Sequence, residues 1–273
     1  MSYEEKKQHL KTTLQTLAQQ NVVVAFSGGV DSSLLLHLCC AEARKTGTKV
    51  YAITMLTELH PHGDLDIARR VALETGALHE VIRINELTDA GIRMNPVDRC
   101  YRCKRTLFSM LVARARELGA AYVVEGTNED DLHVYRPGIK ALGELGILSP
   151  LAQCGLTKEE VRQLASEFGL SVARRPSTPC MATRFPYGTE LSYEAMKQVD
   201  EAETYLRAQG FYNVRLRVHG EVARLEIDTA DMPRLLSLRE EIIRELHQKG
   251  FTYITLDLEG FRSGSMDINL NKR

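Results

Sequence analysis

The first half of the chain alternates short β-branched apolar runs with longer stretches of helical periodicity. Val22–Phe26 is a continuous apolar run, as a strand buried on both faces requires. Leu34–Ala43 is apolar nearly all round, which predicts a buried helix. Lys49–Met55, Glu80–Ile84 and Ala121–Glu125 read as further strands, and Asp64–Gly76 and Tyr101–Leu118 as helices, with Gly119 as a stop. Thr157 followed by Glu160 is a capping-box signature opening a helix that ends near Phe168–Gly169. Strands and helices alternating at this length predict an α/β fold, a Rossmann-like parallel sheet covered on both faces.

The pattern changes after a loop rich in Pro, Ser, Thr and Arg, about Ser171 to Gly188. A helix (Ser192–Gln209), two strands (Asn213–Val218 and Val222–Ile227), a helix (Asp231–Lys249) and a strand (Thr252–Leu258) are expected beyond it. The short His219-Gly220-Glu221 turn makes the first two strands an antiparallel hairpin. Residues 1–185 are thus expected to form the parallel-sheet domain and residues 186–273 a smaller α+β domain.

Composition narrows the function. Of 273 residues, 35 are Lys or Arg and 36 Asp or Glu, a net charge of -1 that argues against a basic nucleic-acid coat. No apolar run reaches the ~18 residues of a membrane span, and the polar N-terminus lacks the apolar core of a signal peptide. A cytoplasmic location is expected, and with it six reduced cysteines rather than a disulfide framework. Cys39, Cys40 and Cys154 read as small core hydrophobes.

The first chemical signal is Ser27-Gly28-Gly29-Val30-Asp31-Ser32, between the first strand and the first helix. Gly28 and Gly29 permit close approach of backbone N–H groups to a phosphate, the helix N-terminus adds donors, and Ser27, Ser32 and Ser33 add hydroxyls. The plain alternative is a strand-to-helix turn capped by Asp31 or Ser32. Neither the Walker loop nor the dinucleotide fingerprint is present. The hexapeptide resembles the SGGxDS loop of the PP-loop ATP pyrophosphatases, which adenylylate a carboxyl or carbonyl oxygen. That resemblance implies ATP, with Asp31 helping to hold Mg²⁺ or the phosphates. Gly126, after the fourth strand, would let the backbone close on the site, and Asp130 and Asp131 could carry the metal; alone, this acidic run reads as a solvated loop.

Cys100-Tyr101-Arg102-Cys103 opens a helix beside Lys104 and Arg105, a setting that favours thiolate, and Cys180 lies in the loop Pro179–Arg184. A C-x-x-C is compatible with zinc, dithiol redox chemistry or an iron–sulfur cluster. Zinc would need a further ligand such as His60, His62 or His133. In the second domain Arg215 and Arg217 alternate with Val214, Leu216 and Val218, which by itself reads as the solvated face of a half-buried sheet. Gly260–Ser265, containing Arg262, has the makeup of a phosphate clamp, which Arg184 could join.

Taken together, SGGVDS, YRPGIKA (Tyr135–Ala141), RFPYGT (Arg184–Thr189), the Arg215/Arg217 strand and TLDLEGFRSG (Thr255–Gly264) resemble the LarE family along nearly the whole chain. The resemblance implies an ATP-dependent sulfur transferase of nickel-pincer nucleotide cofactor biosynthesis. Such an enzyme adenylylates the carboxylates of pyridinium-3,5-biscarboxylic acid mononucleotide and converts them to thiocarboxylates. Some members sacrifice the sulfur of one cysteine; others bind a [4Fe-4S] cluster through three. Cys100, Cys103 and Cys180 match the second pattern, which implies external sulfide or another sulfur donor. Arg184, Glu203, Arg215, Arg217 and Arg262 fall at positions of the substrate or phosphate site, and Asp31, Cys100, Cys103 and Cys180 at catalytic ones. The family also implies a homo-oligomer, a hexamer, with the second domain serving substrate binding and oligomerisation. The alternatives are a PP-loop tRNA thiolase, against which the near-zero charge argues, an amidotransferase-like ligase that leaves the thiols idle, and a nucleotide sensor that releases no pyrophosphate.

Overall fold

In the computed structural model, which describes residues 1–57, 59, 63–134, 136–175, 179–262 and 265–267, the chain forms two compact units. Unit 1 comprises Met1–Ile92 and Asp98–Thr178, and unit 2 comprises Arg93–Val97 and Pro179–Arg273.

Unit 1 runs α1 (Tyr3–Leu17), β1 (Val22–Ala25), α2 (Val30–Thr46), β2 (Val50–Leu56), α3 (Asp64–Thr75), β3 (Leu78–Arg83), α4 (Glu86–Asp89), α5 (Arg99–Glu117), β4 (Tyr122–Val124), α6 (Gly138–Glu144), α7 (Pro150–Gln153) and α8 (Lys158–Glu167). Its sheet is parallel, in the order β3-β2-β1-β4. Val22 and Val24 pack with the apolar residues of α1, α2, α3 and α8, while Val23 packs with Leu111, Ala115 and Leu142 on the opposite face. That two-sided burial is why the strand reads as an unbroken apolar run. Helix α1, additional to the elements expected from the apolar pattern, starts at a Ser2–Glu5 capping box and buries Leu10, Leu14 and Leu17. Thr157 and Glu160 form the expected capping box of α8.

The chain leaves β1 toward β2 and β3 on one side and returns to β4 on the other. Ligands of open α/β sheets bind at such a reversal, beyond the C-terminal strand ends. The loops after β1 and β4 flank it.

Unit 2 contains α9 (Tyr193–Ala208), β5 (Val214–His219), β6 (Val222–Ile227), α10 (Met232–Ser237), α11 (Arg239–Gln248) and β7 (Tyr253–Leu256). The hairpin β5–β6 is antiparallel, and β7 adds to β6 in parallel. The single helix expected over Asp231–Lys249 is two, separated at Leu238. Val214, Leu216, Ala223, Leu225 and Ile227 make the apolar face. Residues 93–97 join this unit through Leu191 N–H to the Arg93 carbonyl (2.7 Å) and Asn95 Nδ2 to the Phe185 and Pro186 carbonyls (both 2.9 Å). Among the described residues no helix is long and apolar enough to cross a membrane.

Candidate active site

The Ser27–Ser32 loop leaves β1 and becomes α2. Gly29 is the N-cap, and no side chain caps the helix, so neither Asp31 nor Ser32 plays the role that a plain turn would give it. The loop is internally braced. Ser27 Oγ lies 3.2 Å from Ser32 Oγ and accepts from Gly29 N–H at 3.3 Å, and Ser32 Oγ donates to the Gly29 carbonyl at 3.2 Å. Gly28 has φ +73°, and a Cβ there would meet Ala68 N at 3.0 Å and Cα at 3.1 Å. A larger residue would push the loop off α3.

The β4 loop closes the other side. A Cβ on Gly126 would lie 2.9 Å from Ser32 N and 3.0 Å from Asp31 Cβ, so only glycine permits this approach. Glu125, buried at the end of β4, accepts from Thr127 N–H and Oγ1 (both 2.9 Å) and from Ser149 Oγ (2.5 Å). Asp31 accepts from Asn128 Nδ2 at 3.0 Å and pairs with Lys158 Nζ. Asp130 accepts from Lys158 N–H at 2.8 Å, and Asp131 faces Arg136 at 2.8 Å and Asn128 N–H at 3.2 Å. These two carboxylates therefore fasten the β4 loop to α8 and to Arg136. Asn128 and Lys158 escaped the sequence reading. The one local clue was Lys158 itself, a cation in the first helical turn, where the dipole favours acids.

Unit 2 carries the arginines. Arg184 and Glu203 are both almost wholly buried and form a two-pronged pair, Nε–Oε1 and Nη2–Oε2 each at 2.8 Å. Glu203 also accepts from Arg207 at 2.6 Å and Leu216 N–H at 3.0 Å. Arg217 is 8% exposed rather than solvated, because Glu226 on β6, fully buried, takes its guanidinium at 2.6 and 3.1 Å. Arg224 shares Glu226 at 2.9 Å, and Arg262 lies 2.7 Å from Glu259 and 3.7 Å from Asp257. Arg215 has no carboxylate at salt-bridge distance among the described residues. It donates to the Val214 carbonyl at 2.7 Å and lies over the Phe261 ring at 5.1 Å. Burial, and then the charge of Arg184, push its pKa down to about 10. Among the described residues, Arg224 Nε and Arg262 Nε are buried without an acceptor. The solvated-face reading is thus overturned for Arg217: the face holds a net positive, partly unanswered set of guanidinium groups.

Cys100 and Cys103 lie near the start of α5, three apart and so neighbours on one side; Cys100 is exposed, and Cys103 and Cys180 are partly exposed. Cys39, Cys40 and Cys154 are buried; burial pushes their thiols up, Cys40 to about 11, as inert core cysteines require. Among the described residues no group of three His, Cys, Asp or Glu is arranged to hold a metal. His133 is exposed against Glu129 at 2.9 Å. His60, His62, Tyr135, Ser263 and Gly264 lie outside the described residues.

The PP-loop domain family matches residues 2–134. A pyridinium-3,5-bisthiocarboxylic acid mononucleotide synthase of Lactiplantibacillus plantarum is 38% identical over 267 residues, covering 98% of this chain and 95% of that protein. An uncharacterized protein of Synechocystis is 37% identical over 270 residues, covering 96% of this chain and all of the other. The tRNA-specific 2-thiouridylase of Rickettsia felis is 34% identical over 201 residues, which is 59% of this chain and 53% of that enzyme.

Proposed function

Since the chain belongs to the LarE family of ATP-dependent, sulfur-transferring PP-loop enzymes, we propose that it adenylylates the carboxylates of pyridinium-3,5-biscarboxylic acid mononucleotide and replaces AMP by sulfur. The observation that carries the substrate reading is Arg215, partly buried with no carboxylate at salt-bridge distance among the described residues, together with the unanswered Nε groups of Arg224 and Arg262, which suits an acceptor bearing a phosphate and two carboxylates.

The substrate carboxylate attacks the α-phosphorus, and pyrophosphate leaves. Backbone N–H groups at the uncapped start of α2, with Ser27 and Ser32, stabilise charge developing on the phosphates. Mg²⁺ binds through one or two carboxylates together with phosphates and water. Asp31, held here by Asn128 and Lys158, is the carboxylate that would serve such an ion, and Lys158 beside it would supply a cation to the phosphates. Arg215, Arg217 and Arg262 bind the anionic substrate. Arg184 and Glu203, buried as a pair, act from behind by fixing the charge balance around Arg215.

Sulfur then attacks the acyl carbonyl carbon, and AMP leaves with the bonding pair of its C–O bond. Cys100, Cys103 and Cys180 are the residues we assign to a [4Fe-4S] cluster. Cys100 and Cys103 lie three apart near the start of α5, one exposed and one partly exposed, and three such thiolates would hold a cluster that could supply an external sulfide. The test is anaerobic turnover of reconstituted protein with ATP, substrate and sulfide, followed by intact mass. Several turnovers at constant mass are expected. A loss of about 34 Da at Cys180 after one turnover would assign the sulfur to that side chain instead. Absence of substrate-dependent pyrophosphate release would overturn the adenylylation reading.

A further inference from the structure

The phosphate loop is braced from outside by a residue that no motif marks. Arg175 Nη1 donates to the Gly28 carbonyl at 3.0 Å, and Nη2 pairs with Asp64, the first residue of α3. The pair is mostly shielded, with side chains 17% and 19% exposed. Arg175 is itself held, because Arg162 on α8 donates to the carbonyls of Ala173 (3.0 Å) and Arg175 (2.9 Å). Gly28 presses on Ala68 of the same α3, so the helix, the guanidinium and the loop meet at one peptide.

A trans peptide points its C=O and N–H in opposite directions. With the Gly28 oxygen taken by Arg175, the Gly29 N–H must turn the other way, where it meets Ser27 Oγ at 3.3 Å. A half-turn of this peptide would aim a carbonyl oxygen where a phosphate is to bind. Glycine on both sides leaves that rotation sterically open. We propose that Arg175, anchored by Asp64, is a positioning residue that locks the Gly28–Gly29 peptide in its anion-accepting orientation. The proposal rests on the loop being the seat of the ATP phosphates. The proposal gives Arg175 no contact with ATP, since its charge is answered by Asp64.

The test is calorimetric titration of ATP, pyrophosphate and adenosine into the wild-type protein and the Arg175→Met, Arg175→Lys and Asp64→Asn variants. Arg175→Met should weaken ATP and pyrophosphate about tenfold, the scale of one hydrogen bond involving a charged group, and leave adenosine unchanged. Lysine reaches one acceptor at a time and should recover part of the loss. Asp64→Asn keeps the guanidinium but loosens it, and should fall between wild type and Arg175→Met. If Arg175→Met does not fold, Asp64→Asn carries the comparison. Adenosine weakened in proportion, or pyrophosphate affinity unchanged in every folded variant, overturns the lock. Wild-type protein that binds adenosine but no pyrophosphate would instead remove the phosphate-loop premise.

Discussion

Replacing Glu203 by Gln should be among the most destabilising single changes in unit 2. Glu203 is fully buried and answers Arg184 and Arg207 while accepting from the Leu216 N–H. Glutamine removes the charge and turns an NH₂ donor toward one of those donors. Arg184, 1% exposed, is left as an unpaired buried cation beside Arg215, a loss of about 3–5 kcal/mol. Arg184→Met should cost less, because Glu203 keeps Arg207 and the Leu216 N–H. Arg184→Met with Glu203→Met should also be milder than Glu203→Gln, since it leaves no bare charge from this pair. Burial alone would raise the Glu203 pKa, but the bond to Arg184 and its charge outweigh it and the net direction is down. A carboxyl held lower in the fold contributes stability above its unfolded value of 4.5 and loses it as pH falls through the folded value. The gap between wild type and Glu203→Gln should therefore be full at pH 7 and close progressively in acid below 4.5. Hydrogen exchange at the β5 and β6 amides reads unit 2 stability directly. A cost under about 1 kcal/mol, or a larger one for Arg184→Met, would refute the account of the pair.

Asp31→Ala should lower pyrophosphate release on the order of a hundredfold, and Lys158→Ala should lower the same rate; unchanged rates would remove both from the reaction. Arg262→Lys keeps the charge but loses the planar fork, so substrate binding should weaken while ATP affinity holds; equal loss of both would contradict the assignment. Sulfate should raise the thermal midpoint of wild-type protein more than that of Arg215→Met, by preferential binding to the folded cation; an identical rise in both would separate the anion site from Arg215.

What was legible in the sequence is what local patterning determines. The runs around Val23, Ile53 and Val123 announce buried strands, and Thr157 and Glu160 announce a cap, because the causes lie within a few residues. The strand-to-helix loop Ser27–Ser32 was legible because its glycine and hydroxyl spacing is local. Period-two alternation of arginine on β5 could not distinguish a solvated face from a buried charged one; the deciding residue is Glu226, across the hairpin from Arg215 and next to Arg217. Likewise the partners of Asp31 and Gly28, namely Asn128, Lys158 and Arg175, come from about a hundred or more residues away and carry no local signature. The split of α10 from α11 was missed because the apolar spacing of Leu235, Leu238, Ile242 and Leu246 runs through the break.

Arg215 bears most directly on why the arginine face exists. A structure needing only stability would pair every buried guanidinium or replace it with an apolar side chain, which is commonly neutral or better. Glu203 and Glu226 show that this fold can supply buried carboxylates where charge has to be answered. Among the described residues Arg215 receives instead a backbone carbonyl and an aromatic ring, neither of which neutralises it, and its lowered pKa expresses a fold that disfavours its charge. The anionic substrate proposed above would reverse that balance by supplying the missing countercharge in a place already partly stripped of water. The same desolvation that makes Arg215 costly in the free protein would strengthen its attraction for such a ligand. Lysine there would keep the charge, but its more strongly hydrated ammonium would bear the desolvation less well and lack the fork that matches phosphate and carboxylate oxygens. On the proposed substrate role, stability lost at Arg215 and affinity gained for an anion would be two expressions of one interaction. An Arg215→Met protein that is more stable yet binds the substrate worse is its direct consequence.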